Sequence, residues 1–246
     1  MLKNIVFSII SLTILCTLLA GCTKDNNEEE VPARVRIVPK APEDALQEHG
    51  IDAVPETNGI FLEWYPNDEL NLDGYAIYRS TFDDRGFKMI AKIPKEFGIA
   101  DTFYVDEIDS LYTRFYYYVR AYNNNDKYGA ESDTVDYELV DKPILQFPQG
   151  NLQSGQNLTF VWDFIAGFIP NSFIFRLERR VGDDYIVLHT KEIPLRDDYA
   201  PHQEWGISEL QYTNALSPGI YRWRIDPIGA AANQGAESDW LEFRVP

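Results

Sequence analysis

Cysteine is almost missing from this chain. There are two, Cys16 and Cys22, and both fall within the first 22 of 246 residues. Whatever folds after residue 22 therefore has no disulfide, no thiol nucleophile and no zinc site built on cysteine. Histidine is nearly as scarce: His49, His189 and His202 are the only three, and no two stand at a metal-ligand spacing such as i, i+4. No serine occupies a Gly-x-Ser-x-Gly nucleophile elbow. Basic residues are outnumbered, 22 Lys plus Arg against 39 Asp plus Glu, for a net charge of −17. That sign repels phosphate backbones, and no basic block offsets it, so nucleic acid is excluded as a partner.

A membrane-spanning run is lacking too. Ile5 to Leu19 is apolar but is interrupted by Ser8, Ser11, Thr13 and Thr17, and it falls short of the roughly 20 residues a spanning helix needs. With Lys3 before it and small Ala20 and Gly21 after it, the run has the layout of a cleaved secretory signal. Leu19-Ala20-Gly21-Cys22 resembles the lipobox of bacterial lipoproteins. The resemblance implies that residues 1–21 are removed and that Cys22 is lipidated, with palmitate among its acyl chains. Each buried methylene then adds about 0.8 kcal/mol to the anchor. Residues 22–32, with Asp25 and Glu28-Glu29-Glu30, read as a short disordered acidic tether. They are similar to the export tag of Bacteroidota lipoproteins, which implies a lipid-anchored protein exposed on the outer membrane surface.

What the chain does have is aromatic side chains in short alternating runs: 15 Tyr, 14 Phe and 5 Trp. Ile60 to Tyr65, Tyr75 to Arg79, Phe87 to Ile93, Thr102 to Ile108, Arg114 to Tyr122 and Thr134 to Val140 read as strands separated by turn residues. No helical period competes with them. The second half repeats the first: Gly129-Ala130-Glu131-Ser132-Asp133 recurs word for word at Gly235 to Asp239. Leu62-Glu63-Trp64 likewise has a counterpart in Phe160-Val161-Trp162. A repeat at this spacing means two copies of one domain, over 33–140 and 143–246. The connection Asp141-Lys142-Pro143 is too short for a loose linker and predicts a fixed relation between the two.

The Trp of the second strand, the run Gly74-Tyr75-Ala76-Ile77-Tyr78-Arg79 and the stretch Tyr117 to Asn123 resemble the fibronectin type III domain. Leu216 to Trp223 resembles the turn into the sixth strand of that family. The resemblance implies an all-β chain of two tandem immunoglobulin-like β-sandwiches. It departs from the pattern at Leu195 to Asn214, a long polar insertion, and leaves Phe115 and Tyr117 as alternatives for the corner tyrosine.

Strand alternation then assigns faces. Phe115, Tyr117, Val119 and Ala121 are expected in the first core with Tyr75 and Ile77. That leaves Tyr78, Tyr116, Tyr118, Arg120 and Tyr122 on the outer face as the candidate binding surface, since Tyr and Arg suit interfaces; the alternative is a solvated sheet held by tyrosine pairs. In the second unit Phe173, Phe175, Leu177, Tyr221, Trp223 and Ile225 are the expected core. Ile174, Arg176, Glu178, Arg222, Arg224 and Asp226 are then a ladder of charges expected in solvent.

Trp205, in the insertion, is the candidate loop anchor, against the alternative that it folds back to plug the sandwich. Asp109-Ser110-Leu111 and Asp133-Thr134-Val135 look like Bacteroidota O-glycosylation sites at Ser110 and Thr134. Glu69-x-Asn71-x-Asp73-Gly74 echoes a calcium loop, but Ser80 stands where the closing Glu belongs, so no metal is expected. The paired acids Asp83-Asp84, Asp183-Asp184 and Asp197-Asp198 read as turns, not as carboxylates flanking a substrate bond. No cofactor or catalytic residue is expected. The residues thus point to a non-enzymatic surface lipoprotein that binds or scaffolds within an outer-membrane protein complex. A glycan-binding module is the alternative, followed by an enzyme whose site the residues do not announce.

Overall fold

The computed structural model describes residues 31–153, 158–164, 167, 169–195 and 208–246. Cys22 with its signal and tether, and Trp205 with the centre of the insertion, lie outside the described residues. Among the described residues the chain is all β, with no α-helix. The first half supplies β1 (Asp52–Ala53), β2 (Gly59–Glu63), β3 (Leu72–Ser80), β4 (Lys88–Pro94), β5 (Phe103–Glu107), β6 (Arg114–Asn123) and β7 (Val135–Leu139). The second supplies β8 (Ile144–Phe147), β9 (Gly150–Asn151), β10 (Leu158–Asp163), β11 (Ser172–Val181) and β12 (Asp184–Pro194), then β13 (Ser208–Tyr212), β14 (Gly219–Ile228), β15 (Gln234–Gly235) and β16 (Leu241–Val245).

Each half is a β-sandwich. In the first, the sheet β1-β2-β5 faces the sheet β4-β3-β6-β7; in the second, β8-β10-β13 faces β12-β11-β14 with β16 beside β14. The alternation of β6 works as the sequence predicts: Phe115, Tyr117, Val119 and Ala121 join Tyr75, Ile77 and Trp64 in one core. Phe160, Trp162, Phe173, Phe175, Leu177, Tyr221, Trp223 and Ile225 fill the other. Of the two corner candidates, Tyr117 carries the buried hydroxyl. It donates to Asp106 Oδ2 at 2.8 Å, and Arg79 Nη1 donates to the same oxygen at 2.7 Å. In the second core Tyr221 donates its hydroxyl to the Ser217 carbonyl at 2.6 Å.

The repeated pentapeptide has a structural task. Ser132 Oγ accepts the Val119 N–H at 2.9 Å and donates to the Asp133 carbonyl at 2.8 Å. Ser238 does the same for Ile225 and Asp239, at 3.0 and 3.1 Å. In both sandwiches the serine ties the approach to the last strand onto the neighbouring central strand, β6 or β14, satisfying a buried backbone donor that would otherwise be orphaned. The glycine is needed for close passage: a Cβ on Gly129 would lie 2.4 Å from the Pro32 carbonyl, and one on Gly235 2.7 Å from the Pro227 carbonyl.

The two sandwiches share a sheet. The short strand β15 of the second pairs in parallel with β7 of the first, Gln234 opposite Glu138 and Gly235 opposite Leu139. Backbone bonds from Glu138 N to Asn233 O (2.9 Å) and from Val140 N to Gly235 O (3.1 Å) make the join. Lys142 in the connection donates to the carbonyls of Val54 and Pro55, at 3.0 and 2.7 Å. The fixed relation read from the short connection therefore rests on a hydrogen-bonded seam, not on shortness alone.

Candidate functional site

The tyrosine face lies where alternation places it, on the outer side of β3 and β6, but it is not an open patch. Tyr118 and Tyr122 are only 8% and 1% exposed; Tyr78, Tyr116 and Arg120 are half-buried. The rings cover one another. Tyr78 stacks on Tyr118 at 4.7 Å, Phe87 packs on Tyr118 at 4.7 Å, and Tyr128 leans on Tyr122 at 5.7 Å. Lys92 lies 4.0 Å above the Tyr122 ring, and Arg120 donates to the Gly129 carbonyl while lying over Tyr128. Burial, with nearby Glu131 and Tyr78, pushes the Tyr118 hydroxyl up to about 12. The five candidate residues thus share the outer face, as a layer of mutually packed rings with Tyr118 and Tyr122 buried beneath their neighbours. Long aromatic side chains on a twisted sheet collapse onto their own neighbours when nothing else covers them.

The expectation for the second unit is overturned. The charged ladder of β11 and β14 is not solvated: Ile174, Arg176, Glu178, Arg224 and Asp226 are all buried. The loop of residues 41–49, from the first sandwich, lies across it. Arg176 donates to the carbonyls of Ala45 (2.8 Å) and Leu46 (3.3 Å), and Thr190 donates to that of Asp44 (2.7 Å). Arg176 and Arg224 stand directly opposite each other in the ladder, an arrangement that like charges disfavour. Glu48 removes the conflict. Its Oε1 accepts from both guanidiniums, 2.7 Å from Arg176, and Arg224 also reaches Glu237 (2.7 Å) and Asp226 (3.1 Å). Trp240 closes the other side, with Arg222 and Arg224 4.0 and 4.8 Å from its ring centroid.

Next to this clamp, Lys40 pairs with Asp52 at 2.5 Å and Glu43 at 3.2 Å, and Tyr137 donates to Asp52 at 3.1 Å. A cavity of about 170 Å³, lined by Glu48, His49, Asp52, Arg224 and Glu237, opens between the two sandwiches. Oxygens of Glu48, Asp226 and Glu237 lie within 4.8 Å of one another, close enough for a cation. The positive charge placed among them is the Arg224 guanidinium, bonded to all three.

Three carboxylates face two guanidiniums here, so one negative charge is in excess. Burial raises Asp226 to about 7 against the pull of Arg224, with Glu48 adding to the rise, and burial raises Glu237 as well. A carboxyl raised in the folded state binds a proton that the unfolded chain gives up near pH 4. Its contribution is complete below that pH and is lost as pH rises through about 7. Stability is therefore expected to fall on the order of 2 kcal/mol between pH 5 and pH 8. Asp226→Asn should flatten that dependence in a urea titration; an unchanged slope would assign it elsewhere.

A third site lies at the end of the first sandwich where the chain enters. Glu69 Oε1 accepts the Ala33 N–H and an Asn67 Nδ2 hydrogen, and Asn67 also donates to the Ala33 carbonyl. Desolvation opposes ionisation of Glu69, but these bonds outweigh it and hold the carboxyl below its ordinary range. The calcium-loop echo is thus a clasp for the incoming chain. Beside it, Glu96 and Ile99 exchange backbone bonds at 2.8 and 2.9 Å around Phe97 and Gly98, which have φ of 50° and 86°. Two positive φ values define a mirror-image hairpin turn, which favours Asn-Gly. Phenylalanine there costs about 1 kcal/mol, and its side chain is fully exposed.

Ser110 and Thr134 are both exposed and both precede or follow strands rather than lying in them. Thr134 stands one residue before β7, so its hydroxyl is not shielded by the sheet.

The geometry described is that of tandem β-sandwiches. Solved structures similar to the chain include the following two. A Fn3-like protein from Clostridium thermocellum is 20% identical and matches 44% of this chain and 92% of its own, with a TM-score of 0.32. The chicken CNTN1 FN1-FN3 domains are 12% identical over 87% of this chain and 69% of theirs, with a TM-score of 0.33. No family model and no curated protein matches the sequence.

Sequence reasoning missed Glu48 and Glu237 altogether. The available signal was the pentapeptide itself: Glu131 is exposed and Glu237 buried within identical words, so the second copy must meet something the first does not.

Proposed function

We propose that this protein is a non-enzymatic, lipid-anchored lipoprotein of the outer membrane surface that serves as a binding or scaffold subunit of a membrane-associated protein complex. The observation that carries the reading is the fusion of two sandwiches into one body through the β7–β15 seam and the Glu48 clamp. Domains meant to move independently keep small polar contacts; here buried charges and a shared sheet hold one geometry. A rigid spacer presents the surfaces at its two ends at a set distance, which suits assembly. The aromatics of β3 and β6 are occupied with each other, which leaves few free ring faces for the alternative reading, stacking on sugars. Affinity capture of the full chain from detergent-solubilised outer membrane tests the proposal. A stoichiometric protein partner is the expected result; binding on a glycan array with no protein partner would replace this reading by the alternative.

A further inference from the structure

We infer that the end of the first sandwich where the chain enters is a lipid-contacting tip, in which Leu70, Phe97 and Ile99 insert among the acyl chains of the membrane that holds Cys22. The inference rests on the reading of Cys22 as a lipid anchor.

Leu70 and Phe97 are fully exposed and Ile99 is 74% exposed. They sit in the β2–β3 loop and the β4–β5 turn, at the end of the β3–β4 pair where Lys95 N donates to Asp73 O at 2.6 Å. Phe97 occupies a left-handed position that favours Asn or Gly. It therefore gives nothing to the turn and, being fully exposed, nothing to the core. Its whole apolar surface is free to be buried against something outside this body.

The lipid is named by the path of the chain. The clasp of Glu69 on Ala33 fixes the first described residues at this same end. Asn123 pairs with Leu72 here, whereas Arg114 pairs with Glu138 at the far end, where β7 leads to the second sandwich. Eight residues, or nine Cα steps, separate Cys22 from Val31, a reach of at most about 32 Å even if fully extended. A lipid on Cys22 is thus joined to the sandwich through this end. The chemistry agrees. The three side chains protrude from loops as separate points, and fluid acyl chains close around such protrusions. Arg36, 5.0 Å from the Tyr65 ring centroid, borders a surface cleft beside Glu69; such amphipathic groups suit the headgroup layer. Asp68, Glu69, Asp73 and Glu96 also surround the tip, so apolar insertion and not attraction to anionic headgroups drives contact.

Phe97→Trp in the full lipidated chain, reconstituted into phosphatidylcholine vesicles with lipids brominated on the acyl chains, tests the tip. Relative to the parent chain, the added emission should be blue-shifted and quenched. Emission at the water-exposed wavelength, unquenched, would overturn the inference while an acylated N-terminal peptide in mass spectrometry leaves the anchor reading intact. If that peptide is not acylated, the anchor reading fails by itself. The tip is then judged by co-sedimentation of the chain with phosphatidylcholine vesicles, where Leu70→Asp, Phe97→Asp and Ile99→Asp together should weaken binding at least tenfold; equal binding overturns it. Quenching that appears only for the protein-free chain and vanishes when a copurifying protein covers the tip would assign the surface to that protein and also overturn it. Phe97→Asn guards against a folding artefact: it should raise the melting temperature by a few degrees while reducing vesicle binding, a split that a structural role cannot give.

Discussion

Arg224→Met is expected to destabilise the protein by about 3–5 kcal/mol, the range seen when one partner of a buried ion pair is removed. Arg224 is 2% exposed and its guanidinium is the common partner of Glu48, Asp226 and Glu237. Methionine fills a similar length but leaves Asp226 and Glu237 buried without a cation. Both would then hold protons more tightly, and the loss of stability with rising pH should steepen. Glu48→Gln should cost less, because the amide oxygen can still accept from Arg176 or Arg224 and Gln47–Glu48 lie on a partly exposed loop. Urea unfolding at pH 5 and pH 8 checks both. An Arg224→Met protein as stable as the parent at pH 8 would mean that the clamp is solvated in solution. The variant should also loosen the two sandwiches relative to each other, visible as faster proteolysis within the 41–49 loop.

Phe160→Ala should cost about 3–5 kcal/mol and lower the melting temperature on the order of 10 °C. Phe160 is the hub of the second core, within 4.6 Å of the Phe175 ring centroid, 4.9 Å of Trp223, 5.8 Å of Tyr212 and 6.0 Å of Phe243. Its removal opens a cavity that rigid aromatic neighbours fill poorly. The seam makes a further demand. Because β7 of the first sandwich pairs with β15 of the second, calorimetry of the parent chain should show a single transition, and Phe160→Ala should shift it as a whole. Two resolved transitions in the parent chain would show that the seam does not couple the cores. Combining Phe160→Ala with Arg224→Met should split the transition, since the first change weakens one core and the second releases its neighbour.

How much of this was readable beforehand differs from strand to strand. The β6 pattern Phe115-x-Tyr117-x-Val119-x-Ala121 gave its buried face correctly because a period of two leaves a strand only two choices. The same rule placed Tyr78, Tyr118 and Tyr122 outside, and they are outside; it could not say that Phe87 and Tyr128, from other segments, would bury them. The exposed Phe97 and Leu70 went unremarked because a single apolar residue in a turn has no periodicity to betray it.

The sequence by itself determined an all-β chain, two repeated units, the core face of each central strand and the scarcity of cysteine and histidine. Each of these follows from local spacing or from residue counts, which no fold can alter. The tertiary structure alone decided that Arg176, Arg224 and Asp226 are buried, because burial depends on what lies across the sheet. Here that is a loop more than 120 residues away, carrying Glu48 to a place where two opposed arginines need it. The same long-range placement brought Ala33 onto Glu69, next to Leu70, because a backbone donor meets whichever carboxylate the fold puts within reach.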